Sequence, residues 1–509
     1  MDKVIEINMD GWDKPVYSEN LIEARKNVVS RLIAGKDKVI ATVYVVGYNR
    51  INKTKNCIKS LLENTKDVNY KLILIDNGSE DNNETFNYFK SVDHPYKTIL
   101  KFNKNFGGMY ISSFMFEHIE GNYIVSVAND LILTPNWLSN LIKVAKSDNR
   151  IGMVNPISSN VSNYQMYNLK FKDYEDLQIE AGKHNVSNPK LWHERLRLIT
   201  LGTLYTRECL AAIGWPVVDI GFIHDFADDD TSFKVRRAGY KIILAKDTWI
   251  HHDHDVFHGE DKDKETYNKS LKIGCENFKS KYYGVDAWDD CNNYIPEFIN
   301  NVKQPLSIYP KILGIDVKCG TPILEVKNKL RENNIFDAEL SAFTQESKYY
   351  IDLKSICNGI VACDREEFLK NSFIREYYDY IVVGSHINQY HEPVKVLMDI
   401  IELIKPKGQI LLTLKNIFNV FCFLNMIGYR DIYDTQYSYN YPIEVFMRTV
   451  EGMGCKVRCI SLFPIDNNIF SKENEKFIKD RVRSITDREN YDDIINRIFV
   501  DYYVLEIEK

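Results

Sequence analysis

The chain has 509 residues, 44% of them hydrophobic, and a formal net charge of −6, which suits a globular protein with a sizeable core. The acidic balance argues against nucleic acid as a partner, because binding along a phosphate backbone needs a basic surface. The sequence contains no apolar run that would span a membrane, no signal-peptide core and no zinc-ligand spacing among its ten cysteines. We therefore expect a cytoplasmic protein with reduced thiols and more than one domain.

Residues 1–37 are predicted to form a helical extension, in which Asn20 caps a helix that runs to Ala34. Short apolar runs then alternate with helical patterns. Strands are predicted at Val39–Val46, Lys71–Ile75, Thr98–Phe102 and Tyr123–Val127. This alternation predicts an α/β fold with a parallel, doubly wound sheet. Because the carboxyl ends of parallel strands meet at one edge, a ligand is expected there.

Polar or glycine residues follow each predicted strand. They are Tyr48, Asn49 and Arg50 after the first, Asp76 after the second, Asn103, Gly107 and Gly108 after the third, and Asn129 and Asp130 after the fourth. An Asp beside an Asn offers the oxygen ligands that suit Mg²⁺ or Mn²⁺, which in turn would hold a diphosphate. The alternative for each turn alone is an ordinary βα or Asx turn. Thr134 is predicted to cap the helix that follows Asp130.

A later helix is predicted to begin at Asp228, Asp229 and Asp230. A carboxylate at a helix N-terminus meets the positive end of the dipole, while repulsion among the three acids raises the proton affinity of one of them. Such a carboxylate suits a general base for a hydroxyl, and simple helix capping is the alternative. After the strand Lys241–Ala245 comes a histidine-rich stretch, residues 251–254, which would complete a metal shell with Asp130.

On these motifs, residues 38–262 resemble the family 2 glycosyltransferases of the GT-A fold. The resemblance implies a nucleotide-sugar site. Its nucleotide contacts would be Tyr48, Asn49, Arg50, Asp76, Asn103, Gly107, Gly108 and Asn129. It also implies that Asp130 is the metal ligand of a DxD-type motif whose first acidic position is here Ala128.

The resemblance further implies that Asp228 is the catalytic base and that His252 is a metal ligand, with His251 as the one-residue alternative. Ala227 stands where the family has a Glu. The alternative is therefore that Asp229 or Asp230 shares the role of base with Asp228.

Residues 263–305 are predicted to be a helical connector, and residues 306–509 a second α/β domain. Its strands are predicted at Ile312–Val317, Tyr380–Val383, Gln409–Leu414, Lys456–Leu462 and Tyr502–Ile507. This region resembles the Rossmann-like class I methyltransferases, most clearly over residues 378–416. Asp316 and Gly320 keep parts of the glycine-rich loop, but Lys318 and Pro322 replace its outer glycines.

No acidic residue is evident where the second strand of the methyltransferase fold would end. Asn388-Gln389 stands where related enzymes often carry Glu-His. Asp364 is a candidate contact for an adenine. The resemblance therefore leaves S-adenosylmethionine doubtful as a cofactor, and we expect an inert, repurposed domain, with a working methyltransferase site as the alternative.

Together the resemblances imply an inverting, metal-dependent enzyme that transfers a sugar from a UDP-sugar. They are typical of bacterial flagellin and surface-glycan modification, which suggests N-acetylglucosamine as the sugar and Ser/Thr of flagellin as the acceptor. The alternatives are an envelope-polysaccharide glycosyltransferase, a bifunctional glycosyltransferase and methyltransferase, and a non-catalytic binding protein.

Overall fold

The computed structural model describes two compact units, Met1–Asn292 and Asn293–Lys509. The described residues are 3–10, 26, 29–30, 32, 38–107, 111, 114–115, 118–214, 217–219, 221–222, 226–254, 264–422, 442–465, 471–486 and 488–509. The finer boundaries at 38, 263 and 306 stay predictions. No helix among these residues combines the length and apolarity that crossing a bilayer requires.

The described part of the first unit is built on a ten-stranded sheet. Its strands are β1 (Lys3–Ile7), β2 (Ala41–Gly47), β3 (Tyr70–Asp76), β4 (Lys97–Phe102), β5 (Tyr123–Ala128), β6 (Leu131–Ile132), β7 (Ile151–Ser158), β8 (Trp192–Arg195), β9 (Thr203–Thr206) and β10 (Lys241–His252). The order is β1-β4-β3-β2-β5-β9-β7-β10-β6, with β8 paired to β10. The four predicted strands are β2 to β5, and they are mutually parallel as expected.

Helices cover both faces of this sheet and enclose two buried apolar clusters. They are α1 (Ile51–Asn64), α2 (Glu84–Ser91), α3 (Trp137–Lys146), α4 (Tyr174–His184), α5 (Arg207–Ile213), α6 (Ala227–Arg237) and α7 (Lys264–Lys281). In α1, Cys57, Ile58 and Leu61 lie on one side of the helix and are buried against the sheet. This packing fixes the strand ends that precede each helix.

Three strands that the sequence analysis does not predict, β6, β8 and β9, pair antiparallel with their neighbours and add to the predicted parallel strands. β9 lies between β5 and β7, and Ser126 of β5 pairs with Thr203 of β9. The chain therefore enters β9 at the edge where it leaves β5. This arrangement brings residues just before Thr203 to the edge that holds Asp130.

The N-terminal segment contains a strand that the sequence analysis does not predict, since β1 adds to the sheet edge in parallel with β4. Residues 26, 29, 30 and 32 are helical, whereas Asn20 and Ala34 lie outside the described residues. The predicted cap at Thr134 is also wrong. Helix α3 begins at Trp137 after Asn136, and the Thr134 hydroxyl instead donates to the carbonyl oxygen of Trp249.

The second unit contains a seven-stranded sheet. Its strands are β11 (Lys311–Ile315), β12 (Glu339–Thr344), β13 (Val361–Cys363), β14 (Tyr378–His386), β15 (Ile404–Lys415), β16 (Lys456–Pro464) and β17 (Val500–Glu508). Its helices are α8 (Pro296–Asn300), α9 (Thr321–Glu332), α10 (Tyr350–Ile356), α11 (Pro393–Leu403), α12 (Ile443–Gly452), α13 (Lys472–Ile485) and α14 (Arg488–Ile498).

The strand order of this sheet is β13-β12-β11-β14-β15-β17-β16, and among the described strands β17 alone runs opposite to the other six. The first three strands progress outwards, and the chain then returns to place β14 on the other side of β11. This reversal is the topological switch point of a Rossmann-like fold. The α/β fold class predicted for both halves is therefore confirmed.

Candidate active site

Asp130 lies at the edge of the first sheet, directly before the short strand β6. Leu131 of β6 pairs with His252 of β10, and the Asp253 amide donates to the Asp130 carbonyl oxygen at 2.9 Å. Asp130 Oδ2 is consequently 3.5 Å from His252 Nε2 and 3.9 Å from His254 Nδ1. One ligand atom from each of these three residues lies within 4.8 Å of the others, a spacing that suits a metal ion.

The imidazole of His252 is oriented by a second hydrogen bond. Its Nδ1 lies 3.0 Å from the Asn160 carbonyl oxygen, which only accepts, so Nδ1 carries the hydrogen and Nε2 faces Asp130. The Ser159 hydroxyl accepts from the His252 amide at 3.1 Å. Hydrogen bonds of this kind set the tautomer of metal-binding histidines.

The charges of Asp130 and His252 support each other. Burial raises the pKa of Asp130, but the hydrogen bond and charge of His252 outweigh it and bring the pKa below its usual value. Burial lowers the pKa of His252, but the hydrogen bond and charge of Asp130 outweigh burial and bring the pKa above its usual value. This pocket therefore favours a carboxylate beside a positive charge, whether that charge is a proton or a cation.

The donor set fits a divalent ion. One carboxylate and two imidazoles suit Mn²⁺ better than Mg²⁺, because Mg²⁺ prefers oxygen ligands throughout. His251 does not join the set, since its Nδ1 lies 2.8 Å from the Ser159 hydroxyl and its ring packs edge-on against Phe171.

The three acids at the start of α6 differ in their partners. Asp229 is buried in an ion pair with Arg197, and Asp230 accepts from the Tyr282 hydroxyl at 2.6 Å and pairs with Lys281. Both carboxylates are therefore neutralised by a cation. Asp228, in contrast, has no ion pair within the described part of the chain.

Asp228 is held by Thr200, whose hydroxyl and amide both donate to its Oδ1. Burial raises the pKa of Asp228 to about 6, and the neighbouring Asp229 carboxylate adds to that rise. Thr200 shortly precedes Thr203, and Asp130 shortly follows Ser126, the pairing partner of Thr203. Asp228 is thus held by a residue at the same sheet edge as Asp130.

The loops after β2 and β3 are joined by hydrogen bonds. The Asn49 amide donates to the Ser79 hydroxyl at 3.1 Å, and Asn49 Oδ1 accepts from the Glu80 amide at 2.8 Å. Asp76 is buried and accepts from the Ser79 amide at 3.0 Å. Burial raises its pKa. Tyr48 and Arg50, which were predicted to contact a nucleotide, keep side-chain surface accessible to solvent beside this pair of loops.

Two other predicted contacts lie in the same region. Asn129 donates to the Thr54 hydroxyl at 2.9 Å, which ties it to α1. Gly107 adopts the left-handed conformation, with φ of 84°, that glycine accommodates without strain. Gly108 lies outside the described residues.

Asn103, which was predicted to contact a nucleotide, is exposed, and its side chain bonds to the N-terminal segment. Its Oδ1 accepts from the Met9 amide at 2.9 Å, and its Nδ2 donates to Asn8 and Asp10 at 2.9 and 2.8 Å. The side chain thus stabilises the segment that follows β1. The sequence analysis predicts no strand there and had no signal for this contact.

Residues 42–207 match the family model "Glycosyl transferase family 2". The first unit carries a glycosyltransferase family 2 domain. The matched part of this glycosyltransferase domain includes Asp76 and Asp130, and it ends before Asp228 and His252. No curated protein matches the chain.

Solved structures similar to this chain have low TM-scores. The mannosyltransferase PcManGT from Pyrobaculum calidifontis, in complex with GDP-Man and Mn²⁺, is 15% identical, with 52% of this chain and 86% of that chain covered and a TM-score of 0.32. A SAM-dependent methyltransferase from Archaeoglobus fulgidus is 18% identical, with coverage of 46% and 99% and a TM-score of 0.29. The YcgJ protein from Bacillus subtilis is 11% identical, with coverage of 42% and 98% and a TM-score of 0.29.

In the second unit, a cavity of about 580 Å³ lies at the switch point between β11 and β14, and Asp316, Lys318, Glu346 and His386 are among its lining residues. The Asp316 carboxylate accepts from the Gln345 amide at 2.8 Å and from its side chain at 3.1 Å. Lys318 takes the left-handed conformation, with φ of 53°, where the resemblance implies a glycine.

A glycine-rich loop lets its backbone approach S-adenosylmethionine closely. This loop does not fit the cofactor in that way, because the Lys318 side chain lines the cavity. The structure does supply an acidic residue after the second strand, which the sequence analysis did not find. Glu346 follows β12 and lines the same cavity. The side-chain amide of Asn388, in contrast, is engaged by the backbone of Lys415. Its nitrogen donates to the Lys415 carbonyl oxygen, and its oxygen accepts from the Lys415 amide.

Proposed function

We propose that this chain is an inverting, metal-dependent glycosyltransferase that moves a sugar from a UDP-sugar to an acceptor hydroxyl. The observation that carries the proposal is the meeting of Asp130, His252 and His254 at one edge of the glycosyltransferase sheet. A carboxylate and two imidazoles at the carboxyl end of a strand suit a cation that binds a diphosphate.

In this proposal Asp130 and His252 hold Mn²⁺ or Mg²⁺, with His254 as a third ligand. When bound, the ion would offset the negative charge that develops on the departing UDP. The proposed nucleotide contacts are Tyr48, Asn49, Arg50, Asp76, Asn103, Gly107, Gly108 and Asn129. The Asn103 side chain also bonds to the segment after β1.

Asp228 is the proposed base. It removes the proton of the acceptor hydroxyl while that oxygen attacks the anomeric carbon from the face opposite the UDP, so one displacement inverts the configuration. Its raised pKa supports the role, because a base with a pKa near 6 is charged at neutral pH and still accepts a proton readily. The carboxylates of Asp229 and Asp230 are instead engaged in ion pairs with Arg197 and Lys281.

For the donor and acceptor we propose UDP-N-acetylglucosamine and Ser/Thr hydroxyls of flagellin. An envelope polysaccharide is the second candidate acceptor. Intact-mass measurement of flagellin co-expressed with and without this chain distinguishes the two, because transfer to flagellin adds the mass of the sugar. An unchanged flagellin mass would favour the polysaccharide.

We propose that the second unit is an inert, repurposed domain, since its loop differs from the glycine-rich cradle at Lys318. The acidic Glu346 at the cavity favours the bifunctional alternative. Isothermal titration separates them: no heat with millimolar S-adenosylmethionine is expected, and saturable binding would support methyl transfer.

The direct test of the main proposal is the release of UDP from UDP-sugars in the presence of Mn²⁺. We expect release with at least one donor and its loss when the metal is chelated. No release across all donors would contradict sugar transfer and favour a non-catalytic binding protein.

A further inference from the structure

The first unit has a second cavity, of about 680 Å³, next to the candidate metal centre. The two sites share residues 251–254. His252 and His254 approach Asp130, whereas His251 and Asp253 line the cavity. This division follows from the alternation of side chains along an extended chain. A ligand in the cavity would therefore lie against the same four-residue segment as a bound metal.

Two aromatic rings form part of the cavity wall. The Phe171 ring lies 5.2 Å from the His251 ring in an edge-on contact. The Tyr174 hydroxyl donates to Glu63 Oε2 at 2.6 Å. Preorganised aromatic faces bind apolar surfaces with little loss of side-chain entropy. The cavity wall thus contains two aromatic side chains.

The charged groups of the cavity are mainly acidic. Asp173, Glu175 and Asp253 line it together with the ammonium group of Lys59, and the Lys53 ammonium lies 3.8 Å from the Asp253 carboxylate. The Lys59 ammonium lies 4.8 Å from the centroid of the Tyr174 ring. Excess carboxylate repels a diphosphate, so the cavity does not suit the nucleotide. The Lys59 ammonium repels a second cation at the Tyr174 face, although the carboxylates attract one, so a basic peptide is the competing ligand that the test must include.

We propose that this cavity binds a neutral saccharide unit, as an accessory site beside the reaction centre. A sugar ring presents apolar C–H groups, which suit the faces of Phe171 and Tyr174. Its hydroxyl groups donate to carboxylates such as Asp173 and Glu175. Its purpose as part of a glycan-handling enzyme rests on the proposed function, but saccharide binding itself is measurable without turnover.

The test is titration of the full chain with three neutral probes, maltotriose, mannotriose and tri-N-acetylchitotriose. We expect at least one probe to bind. Its Kd should rise about tenfold or more in Tyr174→Ala and change little in Tyr174→Phe, which keeps the ring and loses only the hydroxyl. Thermal unfolding of both variants verifies that the chain remains folded.

The variant Asp130→Ala separates this proposal from the proposed function. It should lose UDP release and keep saccharide binding, because Asp130 does not line the cavity. Absence of binding by all three probes, or equal affinity in folded Tyr174→Ala, would overturn the saccharide site. Binding of an oligolysine peptide in place of the saccharides, lost in Tyr174→Ala, would also overturn it.

Discussion

The two units are both α/β sheets, but the edges at which ligands bind differ in chemistry. In the first unit, Asp130 faces two imidazoles, and Asp228 is held by Thr200 without an ion pair among the described residues. At the switch point of the second unit, Asp316 is engaged by Gln345, and Lys318 stands where a glycine-rich loop would bare its backbone.

The fold sets where a ligand binds, and the side chains decide what happens there. An α/β sheet supplies a crevice in either case. Among the described residues, a cluster of side chains that could hold a metal ion shares a sheet edge with a carboxylate of raised pKa in the first unit alone. The predictions below test whether the first edge is catalytic and whether the second is altered.

The largest effect is expected from Asp130→Ala. Removal of the carboxylate should abolish Mn²⁺ binding and lower the rate of UDP release about 1,000-fold or more, because charge stabilisation by a metal is worth several kcal/mol. Mn²⁺ affinity and UDP release measure the two effects. Asp148→Asn is the control, since Asp148 pairs with Lys241 and is not part of the metal cluster. Equal losses in both variants would contradict the assignment.

The next effect separates Asp228 from its neighbour. Asp228→Asn should lower kcat on the order of 100- to 1,000-fold and leave UDP-sugar affinity nearly unchanged, because a base acts on the acceptor. Asp229→Asn should instead destabilise the fold by about 3 kcal/mol, since it leaves the buried Arg197 unpaired.

Steady-state kinetics and denaturant unfolding measure these two results. Near-normal turnover in Asp228→Asn would exclude it as the base. If Asp229→Asn were instead stable and had lost turnover, Asp229 would be the base.

The pH dependence should be a smaller effect in the same unit. Burial raises the pKa of Asp228 to about 6, and the groups around it are Thr200, Asp229, Arg197 and Tyr205. The raised pKa means that the folded state favours the neutral acid, and this contribution to stability is lost as pH rises through 6. A base must be charged, so kcat should rise about tenfold per pH unit below 6 and level off above it. A rate that falls over this range would contradict the assignment.

The smallest effect concerns the second unit. Lys318→Gly should stabilise the fold by up to about 1 kcal/mol, because its left-handed backbone strains any residue with a Cβ. Lys327→Gly, within helix α9, is the matched control and should destabilise by about 1 kcal/mol. Thermal unfolding measures both changes. A loss of stability in Lys318→Gly would show that the lysine side chain supports this loop.

The sequence predicted the parts of the site that depend on local pattern. Asp76 and Asp130 follow apolar runs, so the strand ends and their carboxylates were predicted from neighbouring residues. The antiparallel strand β9 was not, because a four-residue strand gives little periodic signal. Strand β12 was also missed, and with it Glu346.

Contacts between residues distant in the chain account for the other differences. The partners of Asp229 and Asp230 are Arg197 and Lys281, and no local pattern links them to the acids. Asn103 has the position expected of a nucleotide contact, yet it is engaged by residues 8–10. His254 lies beside Asp130 and His252 because side chains alternate in direction along residues 251–254. The sequence indicated this stretch only as a histidine-rich strand end.

The most direct measurement is the anomalous diffraction of Mn²⁺ in crystals grown with UDP. The account predicts a single strong peak in coordination contact with Asp130 and His252, with the diphosphate on the same ion and the Asp228 carboxylate facing that pocket. A peak elsewhere in the first unit, or Asp228 turned to the other side of the sheet from the ion, would contradict sugar transfer by these residues.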